Sequence, residues 1–187
     1  MADASPVFNP AAVTAEAINE LRTSRWPKMD SNTRKTTLRM LSNGIYVITS
    51  SSGDRHGAAT VTWVSQASFK PPLVMAAIRP DSNVFKCLAE SGVAAVHILD
   101  LNQQEMARRF FTPTKVCDGT INGEPFEPGR TRAPILQNAS AYFECVVRHI
   151  VNTQGDHAVV VMEVVDAECR RELCPLTIAE SPWEYGG

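Results

Sequence analysis

The period of the apolar positions changes several times along the chain, and each change marks an element. Residues 11–25 are rich in Ala and Glu, with Val13, Ala17, Ile18 and Leu21 on one stripe. That spacing predicts an amphipathic helix, ended by Pro27. Residues 33–41 predict a second short helix, stopped near Asn43-Gly44. From Ile45 onward β-branched and aromatic residues take over. Residues 45–50 and 58–66 read as strands around a Gly53-Asp54 turn, and 73–78 as a third. Ser82 is placed to cap a helix to Glu90, with Gly92 just past its end. Residues 93–99 predict a fourth strand and 103–110 a short helix. Residues 142–151 and 158–169 predict two long strands that form a hairpin.

Between them, residues 112–134 carry four prolines and three glycines and read as a long irregular excursion. Residues 1–10 read as a leader. At least six strands with few helices predict a mainly β domain with peripheral helices, arranged as an antiparallel barrel. The pattern alone does not separate one small barrel from another.

Composition narrows the class. The chain has 187 residues, enough for one domain with one substantial core, and 44% of them are hydrophobic. The net charge of −2 leaves no basic excess to recruit nucleic acid or an anionic membrane surface. No apolar run approaches the roughly 20 residues of a membrane helix. The N-terminal sequence lacks a basic start and an apolar stretch, so no secretory signal is expected. Five cysteines without a paired motif predict reduced thiols and a cytoplasmic setting.

Candidate chemistry gathers between residues 58 and 86. The hydroxyls of Thr60, Thr62, Ser65 and Ser68 and the amide of Gln66 can bind polar edges of a ligand. Pro71-Pro72 can supply rigid apolar wall. A helix start at Ser82-Asn83-Val84 favours an anion, with Lys86 one turn in and Arg79 as a second cation. The segment therefore suits a flat, phosphorylated ligand. The plainer alternative is that Ser82 is only a cap and Lys86 a solvated surface charge. His56 and His97 read as exposed, Arg108-Arg109 as an exposed helix face, and Cys87, Cys117 and Cys145 as buried fillers. No His or Cys spacing fits a metal site, and no Gly-rich strand–helix turn marks a dinucleotide fold.

Five pieces in order carry a resemblance: Asn43 to Thr49, the hydroxyl-rich stretch from Gly57 to Trp63, Val64 to Leu73 with its Pro-Pro-Leu, Met106-Ala107-Arg108-Arg109-Phe110, and Gly155-Asp156-His157. Together they resemble the flavin reductase-like, FMN-binding split-barrel family. The stretch from Trp63 to Phe69 is most similar to modules that accompany diiron flavoproteins in cyanobacteria.

The resemblance implies a six-stranded antiparallel split β-barrel of Greek-key type at residues 36–172. It would be preceded by a leader and helix (1–35) and followed by a tail (173–187). It implies FMN, with FAD left open, and NADH or NADPH as hydride donor. It places Thr60, Val61, Thr62, Trp63, Gln66, Ala67, Ser68, Pro71, Ser82, Asn83 and Lys86 at the flavin, and His157 as the catalytic candidate. Trp63 departs from the family's small residue at its position. A homodimer and a downstream oxygenase or other electron acceptor are implied as partners. An FMN electron carrier and a non-catalytic flavin-binding protein are the alternative readings. Trp183 and Tyr185, outside the resemblance, are expected to dock on the barrel, with docking on a partner subunit or closing over the flavin as the alternatives.

Overall fold

The computed structural model describes residues 29–152 and 155–186; the expected leader and the helix at 11–25 lie outside them. The described residues fall into two compact units, one up to Leu41 together with Gly186 and one from Ser42 to Tyr185. In the first, Asp30 opens helix α1 (Ser31–Leu38) by accepting the Thr33 backbone N–H at 2.7 Å. That bond satisfies one of the donors a helix start leaves free.

The second unit is mainly β. Its strands are β1 (Tyr46–Ser52), β2 (Arg55–Val61), β3 (Val64–Ser68), β4 (Leu73–Ile78), β5 (Val93–Ile98), β6 (Val116–Cys117), β7 (Thr120–Ile121), β8 (Glu124–Pro128), β9 (Pro134–Leu136), β10 (Ala141–Asn152) and β11 (Ala158–Cys169). Helices α2 (Asn83–Ser91) and α3 (Gln104–Arg109) flank them. Seven strands form one antiparallel sheet in the order β2-β1-β5-β10-β11-β4-β3, and four short ones form a second, β6-β7-β8-β9.

Two expectations are corrected here. The single strand at 58–66 is two strands, because Thr62-Trp63 break the ladder between Val61, paired with Tyr46, and Val64, paired with Ala76. The main sheet thus has seven strands instead of six. The region 112–134 is not irregular throughout. Its prolines and glycines punctuate strands too short for a periodic signal, and Thr114 ties the segment to β2 by accepting the Ala58 N–H at 2.9 Å.

The break has a geometric consequence. β2 and β3 are the two outer strands of the sheet, yet two residues join them. Val61 and Val64 are therefore at most about 11 Å apart. The sheet therefore curls enough to bring the Val61 end of β2 near the Val64 end of β3, and no ladder pairs β2 with β3 among the described residues. The bend is helped by register shifts between β10 and β11 at Glu144/Cys145 and Val147/His149, since bulges increase local twist.

The core lies on both sides of β1. One cluster joins Ile48, Val96, Val160 and Met162 to Val84 and Leu88 of α2. The other joins Ile45, Val47, Leu99, Met106, Phe110, Leu136 and Leu176. α2 runs as the sequence predicts, from Ser82, whose hydroxyl accepts the Phe85 N–H, to Gly92 at φ 72°, a left-handed cap that suits glycine. Gly57 is needed for a different reason. A Cβ there would lie 2.4 Å from Val84 Cα, so β2 and the start of α2 touch backbone to backbone.

His97, expected to be exposed, is fully buried. Its Nε2 accepts the Leu136 N–H at 3.0 Å, so Nδ1 carries the proton and donates to the Val47 carbonyl at 3.0 Å. The imidazole thereby links β1 and β5 to β9. Arg109 is exposed, as expected, and its guanidinium also holds the buried Glu124 carboxylate at 2.6 Å. Cys117 is exposed where a buried filler was expected, whereas Cys87 and Cys145 are buried. Among the described residues no helix is long and apolar enough to cross a membrane.

Candidate functional site

The seam where the β2–β3 link passes the end of β4 is also where six of the sequence-predicted residues lie together. The Ala77 N–H donates to the Trp63 carbonyl at 2.9 Å, and Ile78 pairs with Ala158. These two pairings bring the Thr62-Trp63 link, the end of β4 and the start of β11 side by side. His157 precedes Ala158, and Arg79 follows Ile78 toward the cap of α2. A cavity of about 100 Å³ opens there, lined by Thr60, Val61, Thr62, Trp63, Ser82 and His157, together with Ala59, Arg79 and Tyr185.

A larger cavity of about 640 Å³ shares Ala59, Thr60, Thr62, Arg79 and Tyr185 with the small one and extends over Phe110, Phe111, Ile178 and Trp183. The two form one cleft along the seam. Its walls are aromatic. The Trp63 ring lies 4.7 Å from His157 and 5.7 Å from Tyr185, and Phe111 meets Trp183 edge-on at 4.8 Å.

The polar groups of the cleft differ in what they have left to give. Thr60 donates its hydroxyl to the Ala107 carbonyl at 2.7 Å, so it is engaged in holding β2 to α3. Thr62 is buried, and its Oγ1 has no hydrogen-bond partner among the described residues. A buried hydroxyl without a partner is costly in a closed fold. The Ser82 hydroxyl donates to the Arg79 carbonyl at 2.7 Å while capping α2.

The Arg79 guanidinium grips Asp81 through two nitrogens, at 2.7 and 3.1 Å. This pairing holds the Asp81 carboxyl below, and the Arg79 guanidinium above, their ordinary ranges. His157 Nδ1 lies 2.9 Å from Asp156 Oδ1, and that bond lowers the Asp156 pKa. Burial raises the Tyr185 phenol, with Asp156 adding in the same direction.

The remaining sequence-predicted residues lie elsewhere. Gln66 lines a separate hollow of about 230 Å³ with Ser65, Pro72 and Phe143. Ala67 and Pro71 are exposed and Ser68 is half-buried along β3 and the turn after it. Asn83 and Lys86 are exposed on the first turn of α2. None of these six lines the cleft. The sequence reading quoted Phe110 only as part of the Arg-Arg-Phe helix piece and did not single out Phe111 or Ile178. The adjacent phenylalanines after an Arg-Arg helix end were the one available signal. Among the described residues no group of three or more His, Cys, Asp or Glu side chains is placed to hold a metal ion.

Residues 38–181 match the profile of the flavin reductase like domain. Diflavin flavoprotein A 1 of Synechocystis sp. is 30% identical over 139 residues, which cover 74% of this chain and 24% of that protein. The chain thus spans about a quarter of the length of that relative. The FMN reductase (NADH) RutF of Pseudomonas syringae is 27% identical over 126 residues, covering 67% of this chain and 70% of RutF. The structure of BorF, the flavin reductase component of a bacterial two-component tryptophan halogenase, superposes with a TM-score of 0.66 at 25% identity, covering 79% of this chain and 92% of BorF. The match over most of its length shows that the chain belongs to the flavin reductase like domain family.

Proposed function

We propose that this chain is an NAD(P)H-dependent flavin reductase that binds FMN in the seam cleft of a split barrel. The observation that carries the reading is the buried Thr62 hydroxyl, unpartnered among the described residues, at the edge of an aromatic-walled cleft in a chain of this family. The residues fit the group. The larger cavity falls within the roughly 300–1,000 Å³ of ligand sites. The aromatic side chains offer flat apolar wall, Thr62 offers a hydroxyl for a polar ring edge, and the start of α2 beside Arg79 offers an anion receptor.

Bound flavin supplies the redox chemistry, accepting a hydride from reduced nicotinamide. The chain's own residues bind, orient and shield. Trp63 forms wall on the side of His157, where a small residue is usual in the family. Val61 and Thr60 complete the strand side of the cleft, Thr60 as wall because its proton is committed to Ala107. His157, braced by Asp156, is placed to orient a carboxamide or to steady negative charge on a bound ring. Ser82, Asn83 and Lys86 form the phosphate end, with Asn83 and Lys86 on its outer rim.

Gln66, Ala67, Ser68 and Pro71 lie outside this cleft. A homodimer with β3 of one copy set against the flavin end of the other would bring them to the ligand. The exposure of β3 supports this, with Ser65, Gln66 and Ala67 all open to solvent. A downstream oxygenase or other electron acceptor is proposed from the role of BorF. The five free thiols support a reducing, cytoplasmic setting.

The test is an absorbance titration of purified protein with FMN and FAD, followed by anaerobic addition of NADH and NADPH. Flavin-dependent oxidation of a nicotinamide is the expected result. Bleaching of bound flavin only by a protein donor would point to an electron carrier instead. Absence of affinity for both flavins would overturn the proposal.

A further inference from the structure

Trp183 and Tyr185 lie past residue 181, where the match to the family ends, yet both line the large cavity. Tyr185 also lines the small one, so it stands on the boundary between the two. The segment before them is tied down. Thr177 bridges to Gly44, and the Ile178 N–H donates to the Asn43 carbonyl at 2.9 Å. Ser181 donates to the Ile178 carbonyl at 3.0 Å and accepts the Trp183 N–H at 3.2 Å, which turns the chain toward the cleft.

The two rings are held differently. Trp183 packs on the second core cluster and meets Phe111 at 4.8 Å with planes at 74°. Tyr185 stays 45% exposed and leans on Trp63 at 5.7 Å with planes at 58°. Such tilted rings leave faces uncovered beside a cavity of ligand size. A planar heteroaromatic ring entering the cleft would cover them and would be covered by them.

We propose, resting on the flavin reading above, that Trp183 and Tyr185 form a tail-borne aromatic wall that retains the isoalloxazine ring in the large cavity. This chain then holds its flavin partly with residues outside the segment it shares with its family. Tyr185 is the adjustable part and Trp183 the anchored part. The wall acts by slowing flavin release and adds no group to the hydride transfer itself.

The test is a fluorescence titration of FMN, and separately of FAD, with the full chain and its variants, alongside their melting temperatures and flavin release rates. Tyr185→Ala is expected to raise the Kd for FMN about tenfold, mostly through faster release, with Tyr185→Phe close to the parent. Trp183→Ala is expected to do the same but also to lower the melting temperature, because it packs on the core. If the parent binds flavin and Tyr185→Ala, folded to the same melting temperature, binds and releases it equally, the tail wall is overturned while the flavin site stands. If the parent binds neither FMN nor FAD, both readings fall together.

Discussion

Trp63 and His157 face one another across the seam, ring centroids 4.7 Å apart and planes at 57°. The contact joins the link between the two sheet edges to the start of β11, and it fixes where an imidazole can reach into the cleft. Asp156 is 2.9 Å from the far nitrogen, leaving the ring orientation set from two sides. His157→Ala is expected to lower kcat/KM for flavin reduction by roughly ten- to a hundredfold, the range of a single positioned polar group. The side chain is only 13% exposed and packs on Trp63, so a modest drop in melting temperature is expected as well. An unchanged hydride-transfer rate in stopped flow would remove His157 from the mechanism.

Thr62 carries a prediction of two opposite signs. Its Oγ1 is buried without a partner among the described residues. Thr62→Val replaces that hydroxyl by a methyl of nearly the same shape. In the ligand-free protein this is expected to raise stability by about 1 kcal/mol, because an unsatisfied buried polar group is removed. The same change is expected to weaken flavin binding by about tenfold, the size of one lost hydrogen bond. Urea unfolding and flavin titration read the two effects separately. A variant that gains stability and keeps its flavin affinity would show that the hydroxyl has no ligand.

The course of the main strands was legible because each carries its own local signal. Ser82 and Gly92 punctuate α2 at both ends, and Leu73–Ile78 appears with the bounds its apolar run predicts. The break at Thr62-Trp63 was not legible, since β-branched and aromatic residues at a link look like those in a strand. The four short strands after α3 were hidden for a different reason. Prolines and glycines read as loop, and strands of two to five residues are fixed by tertiary pairing. At the site, Thr60–Trp63 and His157 line one cavity, although they are nearly a hundred residues apart in the chain. Tyr185 could not be placed from sequence, because a tail residue reveals its neighbours only when the chain is folded back.

His97 makes stability depend on pH. Burial, the main cause, drops its pKa from 6.5 to about 4, against a smaller opposite effect of the Val47 carbonyl. Between those values the unfolded chain binds a proton that the native imidazole refuses. Stability therefore rises with pH through this window, is complete above about 6.5, and falls as pH drops toward 4. The loss at the acid end is on the order of 3 kcal/mol for the full shift. The exposed carboxylates Asp81 and Asp156, held below their ordinary range, add their losses only at lower pH. Urea midpoints measured from pH 4 to 7 check this, and His97→Gln is expected to flatten the profile. A flat profile in the parent would contradict the neutral, buried imidazole.

Gly57 controls where α2 begins. A methyl there would lie 2.4 Å from Val84 Cα and 2.5 Å from its amide nitrogen. Both are backbone atoms, so the clash cannot be relieved by a rotamer change. Gly57→Ala is expected to cost about 1–3 kcal/mol, as overpacking does in a rigid core. It should also displace Ser82 from the cleft and weaken FMN binding. The conservative control is Ala59→Gly, which removes cleft wall without moving α2. Equal melting temperatures for Gly57→Ala and the parent would mean that the helix start yields easily.

The same helix start gives the sharpest test of ligand orientation. Ser82 caps α2 and lines the small cavity beside Arg79. Aspartate caps a helix as well as serine does, and its charge favours the N-terminal end of the helix dipole. Ser82→Asp should therefore keep or slightly raise the melting temperature. It places a negative charge where the phosphate is proposed to sit and offers Arg79 a second carboxylate besides Asp81. FMN affinity is then expected to fall by about tenfold, with the loss reduced at high salt. Riboflavin, which has the same ring and no phosphate, should bind the variant and the parent alike. An equal loss for both ligands would mean that the substitution disturbs the ring pocket. No loss for either would move the phosphate away from α2.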